Sequence, residues 1–171
     1  GQLVTSGNGG RFVFIDEVTE IQNQIGTDGS PRLLSNTVTD NDYDKWGNLT
    51  TSSVNIMGGS SSLHSTDITN SYGAADSFSQ INGRMLSSNV TKKINGNSGA
   101  ITRSSVFTYY TGSETCEGSM QTAGMLQSST INGLSVTTCY DDFGHKVKIT
   151  KTGKLNDGDS GTTSIDAFSV Y

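Results

Sequence analysis

The sequence predicts an all-β protein built from antiparallel hairpins, and three observations predict it. Charged residues make up only 16% of the chain, against roughly 25% in an average domain, and Ser, Thr, Asn and Gly replace them. Strand-forming runs alternate with turn residues at intervals of roughly 8–12 residues, which is typical of antiparallel sheets. One Tyr-Asp turn pattern also occurs twice. No helical stretch supports a βαβ unit.

The repeated pattern is Tyr-Asp, any residue, an aromatic residue, Gly and a polar residue. Its copies are Tyr43-Asp44-Lys45-Trp46-Gly47-Asn48-Leu49 and Tyr140-Asp141-Asp142-Phe143-Gly144-His145-Lys146-Val147. An aspartate in a turn can accept a bond from the backbone N–H two residues on, and glycine supplies a positive φ. The expected turn-forming residues are therefore Tyr43, Asp44, Gly47, Asn48, Tyr140, Asp141 and Gly144.

Each Tyr-Asp turn connects two predicted strands. The first joins Ser35–Tyr43 to Asn48–Ile56, and the second joins Leu134–Tyr140 to Lys146–Thr152. The aliphatic residue after each turn can pack near the tyrosine across the two strands.

The remaining elements follow from local patterns. The segment Arg11–Ile25 has some helical spacing, but Phe12-Val13-Phe14-Ile15 is rich in strand formers, and strand is favoured. Asn132-Gly133 is the preferred pair for a two-residue hairpin turn. Further strands are expected at Leu63–Tyr72, Arg84–Ile94, Ile101–Tyr110, Met125–Ile131 and Ser164–Tyr171.

Charge and hydropathy exclude two classes of partner. The net charge of −5 disfavours nucleic acids and anionic membranes, since both attract basic patches. No run approaches the ~18 apolar residues of a membrane span. The chain opens at Gly1 without Met or a signal peptide, so we expect residues 1–171 to be a single β segment excised from a much longer chain.

Several residues invite a chemical interpretation. Gly158-Asp159-Ser160-Gly161 matches a serine-protease nucleophile motif, but His64 and His145 lack the sequence context of a catalytic base, and no enzyme is predicted. Asp40, Asp42 and Asp44 alternate like a calcium loop, but Lys45 and Thr51 stand where an EF-hand needs Gly and Glu. We predict no catalytic residues, metal or cofactor, and leave a calcium-binding turn open.

Three aromatic residues and two cysteines leave further alternatives. Trp46, Tyr109 and Tyr110 could stack against a sugar, although aromatic residues in strands are more often packing residues. Cys116 and Cys139 are interpreted as partly buried free thiols, with a disulfide between them left open.

Taken in order, five segments of the chain resemble the YD repeats of Rhs proteins, in particular the shell regions of SpvB-like and insecticidal toxin-complex proteins. They are Arg11-Phe12-Val13-Phe14, the first Tyr-Asp pattern, Gly83-Arg84-Met85-Leu86, Phe107-Thr108-Tyr109-Tyr110-Thr111-Gly112 and the second Tyr-Asp pattern. Tyr110 departs from the family's Tyr-Asp pair, and His145 replaces its usual Asn.

The resemblance implies a structural role. Hairpins of that family join into a curved, spiralling sheet that forms a shell around a toxic effector domain. We therefore expect a structural segment of a secreted or cell-surface bacterial protein, with neighbouring YD repeats and an enclosed effector domain as partners. Unpaired terminal strands near Phe12–Ile15 and Ser164–Tyr171 predict edge-to-edge self-association. The alternative is a β module that binds carbohydrate or a cell surface.

Overall fold

A computed structural model describes residues 2–5, 11–59, 61–73, 83–94, 99–153 and 163–168, and these contain strands and turns but no helix. Their order along the chain is β1 (Gln2–Thr5), β2 (Arg11–Phe14), β3 (Glu17–Ile25), β4 (Pro31–Tyr43), β5 (Leu49–Gly58), β6 (Ser61–Tyr72), β7 (Met85–Ile94), β8 (Ile101–Tyr109), β9 (Thr115–Cys116), β10 (Ser119–Met120), β11 (Leu126–Ile131), β12 (Leu134–Tyr140), β13 (Lys146–Gly153) and β14 (Thr163–Phe168).

Ten of these strands form one antiparallel sheet, in the order β14-β13-β12-β11-β8-β7-β6-β5-β4-β3. Two separate hairpins, β1–β2 and β9–β10, complete the described strands. By its internal contacts the chain divides into unit 1 (Gly1–Gly73 with Ser88–Arg103) and unit 2 (Ala74–Ser87 with Ser104–Tyr171). The all-β prediction is confirmed.

The strand preference for Arg11–Ile25 is also confirmed, since this segment forms β2 and β3. One detail of the predicted edges is wrong. Phe12–Phe14 pairs with β1 in a hairpin of its own, so β3, not Phe12–Ile15, occupies the first edge of the large sheet. The other edge is β14 (Thr163–Phe168), which overlaps the predicted Ser164–Tyr171 strand.

Cross-strand register gives unit 1 two different faces. Because paired residues share a face and neighbours alternate, one face carries Val18, Tyr43, Val54, Ile56, Ile68 and Tyr72. The opposite face carries Glu17, Asp40, Asp42, Ser53 and Asp67. No hydrophobic side chain that the structure describes in unit 1 is buried.

In unit 2 one face carries many serine and threonine side chains. Cross-strand pairing places them in two rows, one of Thr108, Ser128, Thr137 and Thr150, and the other of Thr130, Ser135 and Thr152. The other face carries Phe107, Val136 and Ile149. The buried hydrophobic residues of the described chain, Tyr110, Cys139 and Tyr140, lie together at one end of this unit.

Candidate functional site

The two Tyr-Asp turns have the same backbone geometry. In the first, the N–H of Asp44 donates to the Asn48 carbonyl at 2.9 Å, and the N–H of Gly47 donates to the Asp44 carbonyl at 3.0 Å. In the second, the N–H of Asp141 donates to the His145 carbonyl at 2.9 Å, and the N–H of Gly144 donates to the Asp141 carbonyl at 3.0 Å. Gly47 and Gly144 have φ values of 87° and 86°.

An aspartate carboxylate organises the first turn from inside. Oδ1 of Asp44 accepts bonds from the backbone N–H groups of Trp46 and Asn48, at 2.8 and 2.9 Å. Its Oδ2 accepts a bond from Asn48 Nδ2 at 2.8 Å. One side chain therefore satisfies two backbone donors that a sharp turn leaves without strand partners, together with the Asn48 side-chain amide.

Asp141 repeats this arrangement with one substitution. Its Oδ1 accepts bonds from the N–H groups of Phe143 and His145, at 2.9 and 2.8 Å. Its Oδ2 faces His145 Nδ1 at 3.0 Å, where Asn48 stands in the first turn. The departure at His145 therefore keeps a nitrogen at the position where the carboxylate needs one.

These contacts lower the pKa of both aspartates. Desolvation acts to raise the pKa of Asp44, but the hydrogen bonds from Asn48, Trp46 and Gly47 outweigh it. Desolvation likewise acts to raise the pKa of Asp141, and the bonds from His145 and Phe143 prevail. Both carboxylates are thus held in the ionised form that accepts every available donor.

The glycines of the two turns lie against different neighbours. A β-carbon on Gly47 would approach Cζ of Phe14 to 2.5 Å, whereas one on Gly144 would meet Cε of Met125 at 3.7 Å. Phe14 also stacks on Tyr43 with ring centroids 4.5 Å apart. Phe14 lies over the first turn and directly precedes Ile15, whose carbonyl accepts a hydrogen bond from a tyrosine hydroxyl. In the same way, Met125 lies near the second turn and directly precedes Leu126.

A tyrosine hydroxyl at the end of a strand donates to a backbone carbonyl at the start of the preceding strand, or in one case two residues before that start, and this tie recurs in four hairpins. In unit 1, Tyr43 reaches Ile15 at 3.2 Å and Tyr72 reaches Leu49 at 2.9 Å. In unit 2, Tyr109 reaches Met85 at 2.8 Å and Tyr140 reaches Leu126 at 3.1 Å. The accepting residue is a large aliphatic one in every case.

Unit 1 reinforces both of its ties with an asparagine two residues before the tyrosine. Asn41 Nδ2 donates to the Ile15 carbonyl at 3.3 Å, and Asn70 Nδ2 donates to the Leu49 carbonyl at 3.0 Å. Residues two apart on a strand point to the same face, so an Asn-x-Tyr sequence directs two donors at one carbonyl.

The segment 110–125 folds as a compact loop against the second Tyr-Asp turn. The interpretation of Cys116 and Cys139 as free thiols is wrong, because the structure joins them in a disulfide with Cα atoms 5.8 Å apart. Cys139 directly precedes Tyr140 on β12. The disulfide therefore anchors the loop at the base of the second turn, and the first turn contains no cysteine.

Gln121 is the most buried side chain of this loop, with 1% of its surface exposed. Its Nε2 donates to the Tyr140 carbonyl and its Oε1 accepts from the Tyr140 N–H, both at 2.9 Å. The side-chain amide thus takes the place of a neighbouring strand for one residue. Tyr110, 4% exposed, adds a hydroxyl bond to the Thr138 carbonyl at 2.9 Å.

Two charged groups hold the loop on either side of the disulfide. The Glu114 carboxylate accepts backbone bonds from Thr111, Gly112 and Ser113, and its pKa is lowered, first by the Thr111 hydroxyl. Lys148 Nζ lies 2.8 Å from Glu117 and 3.4 Å from Asp166.

The predicted sugar-stacking residues lie in different surroundings. Trp46 is half-buried with Lys45 Nζ 5.0 Å from its ring centre. Tyr109 lies under the Arg84 guanidinium at 5.6 Å. Tyr110 is buried and packs edge-on against Tyr140, so its ring offers no face to a ligand. Stacking by Trp46 or Tyr109 stays a prediction.

The other chemical candidates are dispersed. His64 lies on β6 in unit 1, whereas His145 bonds Asp141 in unit 2. The Gly158–Gly161 motif with Ser160 lies outside the described residues. Within the part of the chain that the structure describes, no three His, Cys, Asp or Glu side chains gather to hold a metal. The same residues include no helix of the length and apolarity needed to cross a membrane.

Sequence reasoning missed Gln121 and Tyr72, and it left the disulfide open as the alternative to free thiols. A usable signal existed for Tyr72, because Asn70-Ser71-Tyr72 has the spacing of Asn41-Asp42-Tyr43. Gln121 carries no comparable signal, since its role depends on a loop that returns to a distant strand.

Comparison with known proteins adds no family assignment: no protein-family model matches the chain, and no curated protein matches it.

Proposed function

We propose that this chain is a wall segment of an Rhs/YD-repeat shell, in a secreted or surface bacterial protein that encloses an effector domain. The observation that carries the proposal is the recurrence of one hairpin geometry. Both Tyr-Asp turns have the same pattern of bonds, and the tyrosine tie recurs in four hairpins. A repeated hairpin that pairs with its neighbours is the element from which an extended wall is made.

The distribution of apolar side chains also supports a wall. Unit 1 has an aliphatic face with no buried hydrophobic side chain among its described residues, and Ile21 and Ile25 of β3 are exposed. An isolated globular domain of this size normally buries a substantial core. A wall segment instead gains burial from adjoining repeats and from what the wall encloses.

The edges and the disulfide agree with this role. Among the described strands, β3 pairs with β4 alone and β14 pairs with β13 alone. In the proposed shell, neighbouring repeats continue the sheet at both edges. Disulfides persist mainly in oxidising compartments, which favours a secreted or surface location.

Hydrogen exchange measured on two lengths of the protein tests the proposal. Amide exchange is measured in the 171-residue chain and in the same chain extended by its flanking sequence. We expect β3 and β14 to gain protection in the longer protein, while the internal strands β5 and β12 stay unchanged. Equal exchange of β3 and β14 in both proteins would contradict a continuing wall.

A binding module for carbohydrate or a cell surface is the second candidate, and the position of Trp46 favours it. This side chain sits at a turn tip and is only half-buried. A glycan array distinguishes the two functions, with Phe143→Ala as a control at the matching position of the second turn. Specific glycan binding that Trp46→Ala removes and Phe143→Ala retains would favour the module over the wall.

A further inference from the structure

Beyond the wall function, the two equivalent turns differ in how the chain around them is fastened. Only the second has a cysteine beside its tyrosine, and Cys139 is joined to Cys116 of the 110–125 loop. We propose that this disulfide is a redox-sensitive latch, whose reduction releases the 110–125 loop and loosens the second Tyr-Asp turn while the first turn stays intact.

The disulfide holds the 110–125 loop against β12. It lies between two groups of contacts that join the loop to β12. On one side, Gln121 bonds both backbone groups of Tyr140, and on the other, Tyr110 bonds the Thr138 carbonyl. All of these contacts fall within three consecutive β12 residues, so they depend on one registration of the loop.

The non-covalent contacts of the loop are too few to hold it in this position without the disulfide. The loop contains little regular structure beyond the two-residue strands β9 and β10. Its closure over a sequence separation of 23 residues costs chain entropy that a cross-link removes from the open state. The amide of Gln121 supplies only two neutral hydrogen bonds to β12, and Lys148 adds ion pairs whose acidic partners are both exposed.

Tyr140 connects the loop to the second Tyr-Asp turn. Tyr140 is at once the residue that Gln121 bonds, the tyrosine that ties to Leu126 and the first residue of the turn. The strand register also shifts between Cys139 and Tyr140, opposite Lys148 and Lys146. When the loop leaves, Tyr140 loses both Gln121 bonds and the packing of Tyr110, at the point where regular pairing is already interrupted.

The chemistry of opening is thiol–disulfide exchange. A dithiol reductant donates two electrons and two protons, the bond between Cys116 and Cys139 breaks, two thiols form and the reductant closes to its own disulfide. The latch is therefore closed in an oxidising compartment and opens where dithiols are abundant.

Hydrogen exchange by mass spectrometry on the full chain, with and without a dithiol reductant, tests the proposal. Reduction is verified by the mass of the two added hydrogens. We expect exchange in segments 110–125 and 138–146 to rise by at least about tenfold. Segment 36–50, which contains the first turn, should be unchanged and serves as the internal control for folding.

One double variant makes the outcome decisive. The double variant Cys116→Ser, Cys139→Ser should show the fast-exchange pattern without reductant and should not respond to it. Unchanged exchange after complete reduction would overturn the proposal. Loss of protection in segment 36–50 as well would also overturn it, because the disulfide would then be a staple of the whole fold.

Discussion

The two turn glycines differ in the side chain that lies beside them, which is Phe14 at Gly47 and Met125 at Gly144. Both need a positive φ, and the strain of an alanine in that conformation costs about 1–2 kcal/mol at either position. At Gly47 the new methyl group also collides with the Phe14 ring, whereas at Gly144 it meets Met125 at an ordinary distance. Gly47→Ala should therefore destabilise the protein by about 1–3 kcal/mol more than Gly144→Ala, measured by urea unfolding.

The Phe14 ring provides the control for that difference. In a Phe14→Ala background the collision is gone, and the cost of Gly47→Ala should fall to that of Gly144→Ala. Equal costs in the native background would show that Phe14 does not lie over the first turn.

The turn aspartates predict how stability depends on pH. Their pKa values are lowered in the folded protein, so the folded state binds fewer protons than the unfolded chain. The stability that they contribute is complete above about pH 4, the ordinary aspartate value, and is lost as the pH falls through the lowered values. Asp44→Asn and Asp141→Asn should each flatten the acid limb of a plot of melting temperature against pH.

Exposed Asp142 is the matched control for the pH experiment, since it neighbours Asp141 and no turn donor is bonded to it among the described contacts. Asp142→Asn should leave the acid limb as it is in the parent protein. An acid limb that none of the three variants alters would contradict the role of the turn carboxylates.

At the scale of the strand, the tyrosine ties should not be equal in strength. Tyr→Phe removes one hydroxyl bond, worth about 0.5–1.5 kcal/mol. In unit 1 the accepting carbonyl keeps its asparagine donor, so Tyr43→Phe and Tyr72→Phe should destabilise the protein by an amount at the low end of this range. Tyr109→Phe and Tyr140→Phe should destabilise it by an amount at the high end, as measured by urea unfolding.

The asparagines test this explanation directly. In an Asn70→Ala background, Tyr72→Phe should become as costly as Tyr109→Phe. If the four Tyr→Phe variants unfold alike, and Asn70→Ala changes nothing, shared donation to one carbonyl does not stabilise these hairpins.

Gln121 is predicted to matter more than any exposed residue of its loop. Gln121→Ala leaves both backbone groups of buried Tyr140 without their partner, and an unsatisfied buried group costs about 1–3 kcal/mol. Exposed Thr122→Ala should cost less than about 0.5 kcal/mol. Thermal melts of the two variants check this, and similar melting temperatures would contradict the role of Gln121.

Local patterns were sufficient to predict the strands of the large sheet, but not the short strands β1, β9 and β10 or the contacts between distant segments. The second turn shows why: β12 begins and ends as its alternation and flanking turns indicate, at Leu134 and Tyr140. The Gln121 amide and the Cys116 sulfur contact that strand because of the path of the 110–125 loop. That loop has no hydrophobic periodicity, so its path cannot be predicted from the sequence. The Tyr-Asp pattern does not predict the tyrosine ties, because the bonded partner of each tyrosine is a large apolar residue near the start of the preceding strand of the same hairpin.

At the scale of the whole molecule, the two edge strands of the large sheet, β3 and β14, are the places where a wall would continue. β3 is exposed along its length and carries Ile21 and Ile25, and such an edge seeks a backbone partner unless charge protects it. In the proposed shell, adjoining repeats pair with β3 and β14. Without those repeats, copies of the chain should pair with one another through the same edges.

Light scattering of the isolated chain at rising concentration tests this central claim most directly. We predict a molar mass that rises with concentration, a rise that Ile21→Lys on β3 suppresses and that Thr122→Lys, with the same added charge on the exposed loop, leaves unchanged. A chain that stays monomeric at every concentration, or a rise that Ile21→Lys does not alter, would contradict the wall-segment account.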